Sequence, residues 1–163
     1  MERHAVEIEL KFLIEGGLPD LSNVPSAYVR QGYILVSDGG EVRVRDAGGR
    51  FTLTAKAGRG LERDEHEIDL TRGQFEVLWP TTLGRRLEKR RYDISAGELV
   101  YELDVYAGAL EGLATVEVEF DAPEQAVAFV PPAWFGRDVT GVSGYTNAEL
   151  ALGRRQDIED PAR

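Results

Sequence analysis

Charged and apolar residues alternate near the start of the chain, in the run Glu7-Ile8-Glu9-Leu10-Lys11. Successive side chains of a β-strand point to opposite faces, so both carboxylates and the ammonium share one face. Paired carboxylates suit a hard divalent cation, and a lysine suits an anion such as phosphate. Alone, however, this alternation is also typical of an ordinary strand with one face in water.

The same charged alternation recurs on at least six further predicted strands. The carboxylates are Glu7, Glu9, Glu65, Glu67, Glu102, Asp104, Glu117 and Glu119, and the bases are Lys11, Arg43, Arg45, Lys56, Arg63, Lys89 and Arg91. Such a sheet can show its charged face to solvent or curl into a barrel with a charged lumen. A solvent-facing strand does not need paired acids and bases, since Thr, Ser or Gln serves equally well. The pattern therefore favours a charged lumen, whose charges must be paired, hydrated or neutralised by a ligand.

The bases of this lumen, apart from Arg63, are numerous enough to surround a highly charged anion. Phosphoryl oxygens accept bidentate contacts from arginine and point-charge contacts from lysine, while Mg²⁺ or Mn²⁺ bridges phosphate to carboxylate. These residue types therefore favour a polyphosphate ligand together with Mg²⁺ or Mn²⁺. The pairs Gly39-Gly40 and Gly48-Gly49 are interpreted as hairpin turns, not as a glycine-rich phosphate loop.

The elements that position these charges are mostly strands joined by short turns. Strands are predicted over residues 5–14, 28–36, 41–45, 50–56, 63–70, 86–94, 98–106 and 113–120. Capping boxes at Thr71 with Gln74 and at Thr146 with Glu149 predict two helix starts, and Pro123 begins a third helical segment. The sequence thus predicts an α+β fold, mainly β, in which an antiparallel sheet closes into a barrel with a few covering helices.

Length and composition limit the remaining choices. The 163 residues, 42% of them hydrophobic, predict one domain over residues 1–153 and a flexible polar tail over 154–163. The net charge of -10 argues against nucleic acid and anionic membranes as partners. We expect a cytoplasmic protein, because the sequence has neither a bilayer-spanning apolar run nor a signal-peptide core. With no cysteine and two histidines, any metal is expected to be a hard ion on carboxylates.

These residues resemble the CYTH family, the triphosphate tunnel metalloenzymes, and in particular its short bacterial branch of inorganic triphosphatases. The family signature ExExK stands here as residues 7–11. The further matching segments follow in the family's order and are Arg30-Gln31-Gly32-Tyr33, Val42-Arg43-Val44-Arg45, Leu53-Thr54-Ala55-Lys56, Arg63 through Glu67, Glu88-Lys89-Arg90-Arg91-Tyr92, Glu102-Leu103-Asp104, Val116-Glu117-Val118-Glu119-Phe120 and Trp134-Phe135-Gly136. The resemblance covers the chain from about residue 7 to residue 152.

The resemblance implies an eight-stranded antiparallel closed barrel, the triphosphate tunnel, with a C-terminal helix that plugs one end. It implies metal-dependent hydrolysis of a triphosphate, with phosphate bound by Lys11, Arg43, Arg45, Lys56, Lys89 and Arg91. The metal ligands that it implies are Glu7, Glu9 and Glu119. The other carboxylates of the lumen are expected either to bind metal or to orient the bases, and they are Glu65, Glu67, Asp104 and Glu117.

The resemblance also implicates Lys11 and Tyr33 in catalysis. A lysine crowded by other cations can have a lowered pKa, and a tyrosine hydroxyl can hold that lysine or the attacking water. The alternative for Tyr33 is a packing role between strands. One departure from the family is Gly144, which stands where members commonly have a basic residue before the tyrosine of the C-terminal segment. Its effect on phosphate binding or on closure of the tunnel is left open.

The resemblance favours inorganic tripolyphosphate as the substrate, with pyrophosphate and orthophosphate as the expected products. The alternatives are a class IV adenylate cyclase, a nucleoside or thiamine triphosphatase, and a non-catalytic polyphosphate-binding module. Trp134 and Phe135, together with the outer apolar face, offer a surface for a homodimer. His66 is expected on the outer face of its strand, and His4 is expected at the surface near the N-terminus.

Overall fold

The computed structural model describes residues 2–58 and 63–153, with side chains from residue 7 onward. The predicted tail at 154–163 and the side chain of His4 lie outside the described residues. No helix in the described ranges is long and apolar enough to cross a membrane.

The described ranges contain strands, short α-helices and two 3₁₀ turns. The strands are β1 (Glu2–Glu7), β2 (Glu9–Leu13), β3 (Ser26–Ser37), β4 (Gly40–Ala47), β5 (Arg50–Ala57), β6 (Arg63–Leu70), β7 (Arg86–Ala96), β8 (Leu99–Tyr106) and β9 (Ala114–Glu119). The helices are α1 (Arg72–Leu78), α2 (Pro123–Ala128) and α3 (Asn147–Ala151), and the 3₁₀ turns are Trp79–Thr82 and Gly108–Leu110.

All the strands form one antiparallel sheet in the order β1-β6-β5-β4-β3-β7-β8-β9-β2. Its two end segments, β1 and β2, follow each other in the chain and are separated only by Ile8. They are the two halves of the first predicted strand, so the sheet has the eight strands that were expected. Because both ends of the sheet belong to one stretch of chain, the sheet curls into a half-barrel.

The free edge of β2 is occupied by the C-terminal part of the chain. The Leu13 N–H donates to the Arg137 carbonyl at 2.9 Å, and the Val139 N–H donates to the Lys11 carbonyl at 2.8 Å. The other edge of β2 pairs with β9, whereas β1 pairs with β6. The backbone groups of β2 are thus satisfied without a further barrel strand. The described residues form an open, curled sheet, and the fully closed barrel expected from the sequence is not confirmed.

The outer face of β2, β8 and β9 is covered by the segment that follows β9. The Phe135 ring lies 5.1 Å from the Phe12 ring and 5.1 Å from the Tyr101 ring, measured between centroids. Trp134 packs against Phe135, with 4.6 Å between their ring centroids. Trp134 and Phe135, the residues predicted to offer a homodimer surface, therefore pack within the chain's own apolar layer.

Helix α1 covers the outer face of β4 and β5. Its Phe75 is buried and lies 5.1 Å from the Phe51 ring and 5.2 Å from the Trp79 ring. The predicted capping box is confirmed, because the Gln74 N–H donates to Thr71 Oγ1 at 3.2 Å and the Thr71 N–H donates to Gln74 Oε1 at 2.8 Å. These two bonds satisfy backbone donors that the first turn of a helix otherwise leaves unpaired.

One end of the half-barrel is filled by an apolar cluster that joins α3 to the sheet. Its buried members are Leu13, Tyr33, Leu87, Tyr106, Leu110, Leu113, Val139, Tyr145, Ala148, Leu150 and Ala151. The predicted capping box that begins α3 is also confirmed, with the Glu149 N–H donating to Thr146 Oγ1 at 3.2 Å. Burial of this cluster fixes the C-terminal segment against the strands that carry the charged inner face.

Gly144 has a conformational role in the turn before α3. Its φ is 91°, a region in which glycine is favoured over residues with a Cβ. Its N–H donates to Glu149 Oε2 at 2.8 Å. The backbone of Gly144 therefore helps to cap α3 at the position where the related family commonly carries a basic side chain.

Gly32 allows the 3₁₀ turn at 79–82 to approach β3, and replacing it by alanine should destabilise the fold. A Cβ at Gly32 would lie 2.5 Å from Thr82 Oγ1 and 2.6 Å from Thr82 Cβ. Overpacking of this kind lowers the free energy of unfolding by about 1–3 kcal/mol. We expect a lower denaturant midpoint for Gly32→Ala. The matched control is Gly39→Ala, where a Cβ meets nothing within 4 Å. Equal midpoints for the two variants would contradict this assignment.

Candidate active site

The inner face of the half-barrel surrounds a cavity of about 630 Å³. Thirteen of the fifteen charged side chains predicted from the strand alternation line this cavity, whereas Lys89 and Asp104 do not. The charged face therefore turns inward, as predicted, and not toward bulk solvent. Together with Glu41, the wall carries eight carboxylates and six bases: Glu7, Glu9, Glu41, Glu65, Glu67, Glu102, Glu117 and Glu119, with Lys11, Arg43, Arg45, Lys56, Arg63 and Arg91.

The predicted metal ligands Glu7, Glu9 and Glu119 all line the cavity. Glu9 and Glu119 lie directly opposite each other on β2 and β9. Burial, with the nearby carboxylates of Glu117 and Glu7, raises the pKa of Glu9 well above its usual range. Burial, with Glu7 and Glu102, also raises the pKa of Glu119. Because like charges on facing strands repel, this part of the wall favours a bound cation.

Lys56 supplies a positive charge among these carboxylates. Its Nζ donates to both carboxylate oxygens of Glu7, at 3.0 and 2.8 Å, and lies 3.2 Å from Glu65 Oε2. Although burial acts to raise the pKa of Glu7, the charge of Lys56 lowers it below the usual range. Among residues 2–58 and 63–153, no three Asp, Glu or His side chains are arranged to hold a metal ion. A metal on Glu7 would therefore have to share this carboxylate with Lys56.

Lys11 is held from two directions. Its backbone N–H donates to Thr140 Oγ1 at 2.9 Å, and its Nζ lies 3.4 Å from Glu117 Oε1. Burial acts to raise the pKa of Glu117, but the charges of Lys11 and Arg91 lower it well below its usual range. Lys11 is therefore fixed at the cavity wall by the ionised carboxylate of Glu117 on β9 and by Thr140 in the segment beside β2.

Lys89 and Asp104 lie behind the wall, where Asp104 contacts both Lys89 and Arg91. Both side chains have an exposed fraction of 0%, and Lys89 Nζ donates to Asp104 Oδ2 at 2.7 Å. Arg91 donates to the same carboxylate twice, from Nε to Oδ1 and from Nη2 to Oδ2, each at 2.7 Å, while its Nη1 donates to Glu102 Oε2 at 2.9 Å. Burial and the charge of Arg91 lower the pKa of Lys89 to about 7. The bidentate contact fixes the guanidinium plane of Arg91.

Tyr33 also lies below the cavity wall, with an exposed fraction of 0%. Its hydroxyl accepts a hydrogen bond from Gln31 Nε2 at 2.7 Å, and Gln31 Oε1 accepts one from Arg45 Nε at 3.0 Å. Burial raises the pKa of Tyr33 and keeps its hydroxyl protonated. Burial, together with the charges of Arg43 and Arg91, lowers the pKa of Arg45 to about 10. The structure therefore places Lys11 at the wall but Tyr33 behind it.

The four further carboxylates that were expected either to bind metal or to orient bases all contact protein partners. Glu65 pairs with Lys56, and Glu67 accepts a hydrogen bond from Thr54 Oγ1 at 3.1 Å. Asp104 and Glu117 contact Arg91 and Lys11 as described above. Glu65, Asp104 and Glu117 thus contact bases of the predicted set, and a role of these carboxylates in orienting the bases stays a prediction. His66 is exposed and lies outside the lining of the cavity, as predicted.

The residues at or beside the cavity that were not predicted as site residues include Gln31, Glu41, Thr140 and Asn147. Gln31 lies two residues before Tyr33 on β3, and Glu41 lies two residues before Arg43 on β4. The strand alternation therefore already predicted that Gln31 and Glu41 face the same side of the sheet as these site residues. Thr140 and Asn147 line the cavity from the C-terminal segment. Asn147 Oδ1 accepts a hydrogen bond from the Tyr106 hydroxyl at 2.6 Å. The segment that carries Thr140 and Asn147 is not a strand, so the strand alternation could not predict that it lines the cavity. Its position is seen only in the folded structure.

No family model matches the chain. An inorganic triphosphatase from Nitrosomonas europaea is 48% identical over 151 residues, which cover 90% of this chain and 97% of that protein. An inorganic triphosphatase from Acetivibrio thermocellus is 34% identical over 146 residues, which cover 88% of this chain and 92% of that protein.

Solved structures agree with these relatives. A crystal structure of the inorganic triphosphatase NE1496 matches with a TM-score of 0.68 and 43% identity, over 91% of this chain and 95% of that chain. A putative adenylate cyclase from Bacillus halodurans matches with a TM-score of 0.59 over 77% of this chain and 86% of that chain, but its 16% identity shows a common fold alone. From relatives that are 48% and 34% identical over nearly their whole length, we conclude that the chain belongs to the inorganic triphosphatase family.

Proposed function

We propose that this protein hydrolyses inorganic tripolyphosphate to pyrophosphate and orthophosphate in the cavity of the half-barrel. The observation that carries the proposal is the wall itself, in which six bases and eight carboxylates face one cavity of about 630 Å³. A sugar or a peptide does not require so much charge. A polyphosphate with a divalent cation would use both signs, because the bases would bind its oxygens and the carboxylates would hold the cation.

The excess of carboxylates over bases bears on metal dependence. Without a cation, a polyanion entering this wall meets a net negative surface, which opposes binding. We propose that Glu7, Glu9 and Glu119 would hold Mg²⁺ or Mn²⁺, because they supply hard oxygen donors and Glu7 repels both Glu9 and Glu119. The described side chains are not already arranged as a metal site, so binding the ion would require these carboxylates to rearrange. When bound, the metal supplies charge neutralisation and orientation for the phosphate chain.

The bases of the wall are proposed to hold the phosphate chain. Arg43, Arg45 and Arg91 line the cavity and present guanidinium groups suited to bidentate phosphate contacts. Lys11 and Lys56 line the same wall and add point charges. Lys89 is proposed to assist phosphate binding from behind the wall, because its 2.7 Å contact with Asp104 supports the carboxylate that holds Arg91.

Hydrolysis begins with attack of water on a terminal phosphorus. A new P–O bond forms, the bond from that phosphorus to the bridging oxygen breaks, and its electron pair leaves with pyrophosphate. The proton lost by the water passes to a phosphate oxygen or to solvent. We propose that Lys11 contacts the terminal phosphoryl group, where its charge stabilises the transition state, and that the arginines stabilise the leaving pyrophosphate. Tyr33 is proposed to support these groups from behind the wall, since its side chain is fully buried.

The half-barrel is proposed to correspond to the triphosphate tunnel of the CYTH family. In that interpretation α3 and the segment before it act as the plug, because Tyr145, Thr146, Asn147 and Ala148 line the cavity at the end filled by the apolar cluster. A tunnel closed all round its circumference requires further pairing between the N-terminal strand and its neighbours. The proposal of hydrolysis does not depend on that closure, since the charged wall is already formed.

The first test is the turnover of a substrate panel by the purified protein with Mg²⁺ or Mn²⁺. We expect orthophosphate release from tripolyphosphate, and slower release from ATP, GTP or thiamine triphosphate. Production of cyclic AMP and pyrophosphate from ATP would instead identify the adenylate cyclase alternative. Binding of tripolyphosphate without metal-stimulated phosphate release would identify a binding module.

Removal of the Lys11 charge should impair turnover by the folded protein. We expect Lys11→Ala to lower kcat for tripolyphosphate by on the order of a hundredfold or more, because one charge aimed at the transition state is lost. The matched control is Arg90→Ala, since Arg90 is an exposed base on β7 outside the cavity lining. Full turnover by Lys11→Ala would show that its assigned role is wrong.

Metal binding by the carboxylates should be visible without turnover. We expect Mg²⁺ or Mn²⁺ to raise the melting temperature of the wild-type protein, because the cation binds the folded state. Glu119→Gln removes one proposed ligand and should reduce this rise, while chelation of the metal by EDTA should abolish phosphate release. Glu76→Gln, an exposed change on α1, serves as the control. An unchanged metal response of Glu119→Gln would remove Glu119 from the ligand set.

A further inference from the structure

Gln31 is a fully buried polar side chain beside the charged wall. Its exposed fraction is 0%, and it lies on β3 directly opposite Arg45 of β4. Its neighbour two residues on, Tyr33, lies directly opposite Arg43. A buried amide is costly unless its donors and acceptor find partners, so the contacts of Gln31 define what it does.

The two ends of the Gln31 amide contact two different site residues. Gln31 Oε1 accepts from Arg45 Nε at 3.0 Å, and Gln31 Nε2 donates to the Tyr33 hydroxyl at 2.7 Å. The orientation of the amide follows from chemistry, because an arginine Nε–H only donates and must therefore face the amide oxygen. The amide nitrogen is then directed to the tyrosine oxygen, which accepts.

Arg45 depends on this contact for its position. Among the described residues, Arg45 has no carboxylate partner within 4.0 Å, in contrast to Arg91, which contacts Asp104 and Glu102. The charges of Arg43 and Arg91 both act on Arg45, in the direction of repulsion. A neutral acceptor at Nε holds the guanidinium without cancelling its charge. The terminal nitrogens therefore stay available to an anion in the cavity.

We propose that Gln31 is a positioning residue that aims Arg45 at the bound phosphate chain and ties it to Tyr33. This inference rests on the proposed function, because it names how one phosphate-binding arginine of that site is held. A carboxylate in place of the amide would pair with Arg45 and weaken its attraction for phosphate. An amide is therefore better suited than an acid at this position.

The test uses Gln31→Met, which keeps the side-chain length but removes both hydrogen bonds. We expect kcat/KM for tripolyphosphate to fall by on the order of tenfold or more, because a misplaced phosphate-binding group loses much of its effect. The matched control is Thr82→Val, which removes the hydrogen bonds of another fully buried side chain, to the Trp79 carbonyl and from Arg86 Nε, outside the cavity lining. Thr82→Val should lower the melting temperature while leaving kcat/KM unchanged.

A double-mutant cycle separates positioning from a general loss of stability. In an Arg45→Met background, Gln31→Met should change kcat/KM by less than about twofold, since the group that it positions is absent. A purely structural role predicts the same fractional loss in both backgrounds. That result, or wild-type kcat/KM for Gln31→Met alone, would overturn the proposal.

Failure of the proposed function can be distinguished from failure of this inference. If the wild-type protein releases no orthophosphate from tripolyphosphate, the proposed function is wrong, and the same double-mutant cycle is then measured as the Kd of tripolyphosphate by calorimetry in the presence of Mg²⁺. Weakening of about tenfold by Gln31→Met that disappears in the Arg45→Met background supports the positioning role. Equal affinities of Gln31→Met and the wild-type protein would overturn it.

Discussion

Pairing of opposite charges inside a curled sheet is the constraint on which the rest of this structure depends. A charge that leaves water without a partner is strongly destabilising, so a wall with eight carboxylates and six bases can exist only if most of them pair. The contacts of Lys56 with Glu7, of Lys11 with Glu117 and of Arg91 with Asp104 meet this requirement. The pairing leaves an excess of carboxylates near Glu9 and Glu119, and this excess is what makes the wall suited to a cation.

The groups behind the wall explain how its charges keep their directions. Asp104 holds Arg91 through two hydrogen bonds, whereas Gln31 holds Arg45 through one neutral acceptor. Both supports are fully buried, so neither competes with a ligand for space in the cavity. A charged support anchors its arginine more firmly, and a neutral support leaves more of the positive charge for an anion. The wall thus contains bases that a carboxylate neutralises, such as Arg91, and bases held by a neutral group, such as Arg45.

The C-terminal segment links the scaffold to the site. It satisfies the free edge of β2, contributes Thr140 to the backbone of Lys11 and supplies α3 to the apolar cluster at one end of the cavity. The likeness to the inorganic triphosphatase relatives extends over nearly their whole length. The likeness to the putative adenylate cyclase concerns the fold alone, and the chemistry must therefore be argued from the residues of the wall.

The sequence by itself determined the strands and two helix caps and favoured an inward charged face, because alternation, capping boxes and charge type are local properties. Thirteen of the fifteen charged residues identified in this way line the cavity. Only the tertiary structure decided that Lys89, Asp104 and Tyr33 lie behind the wall, since strand parity gives the face of a side chain but not its depth. Only the tertiary structure also shows that residues 136–139 occupy the free edge of β2. These segments are more than a hundred residues apart, and pairing at that distance produces no repeating pattern in the sequence.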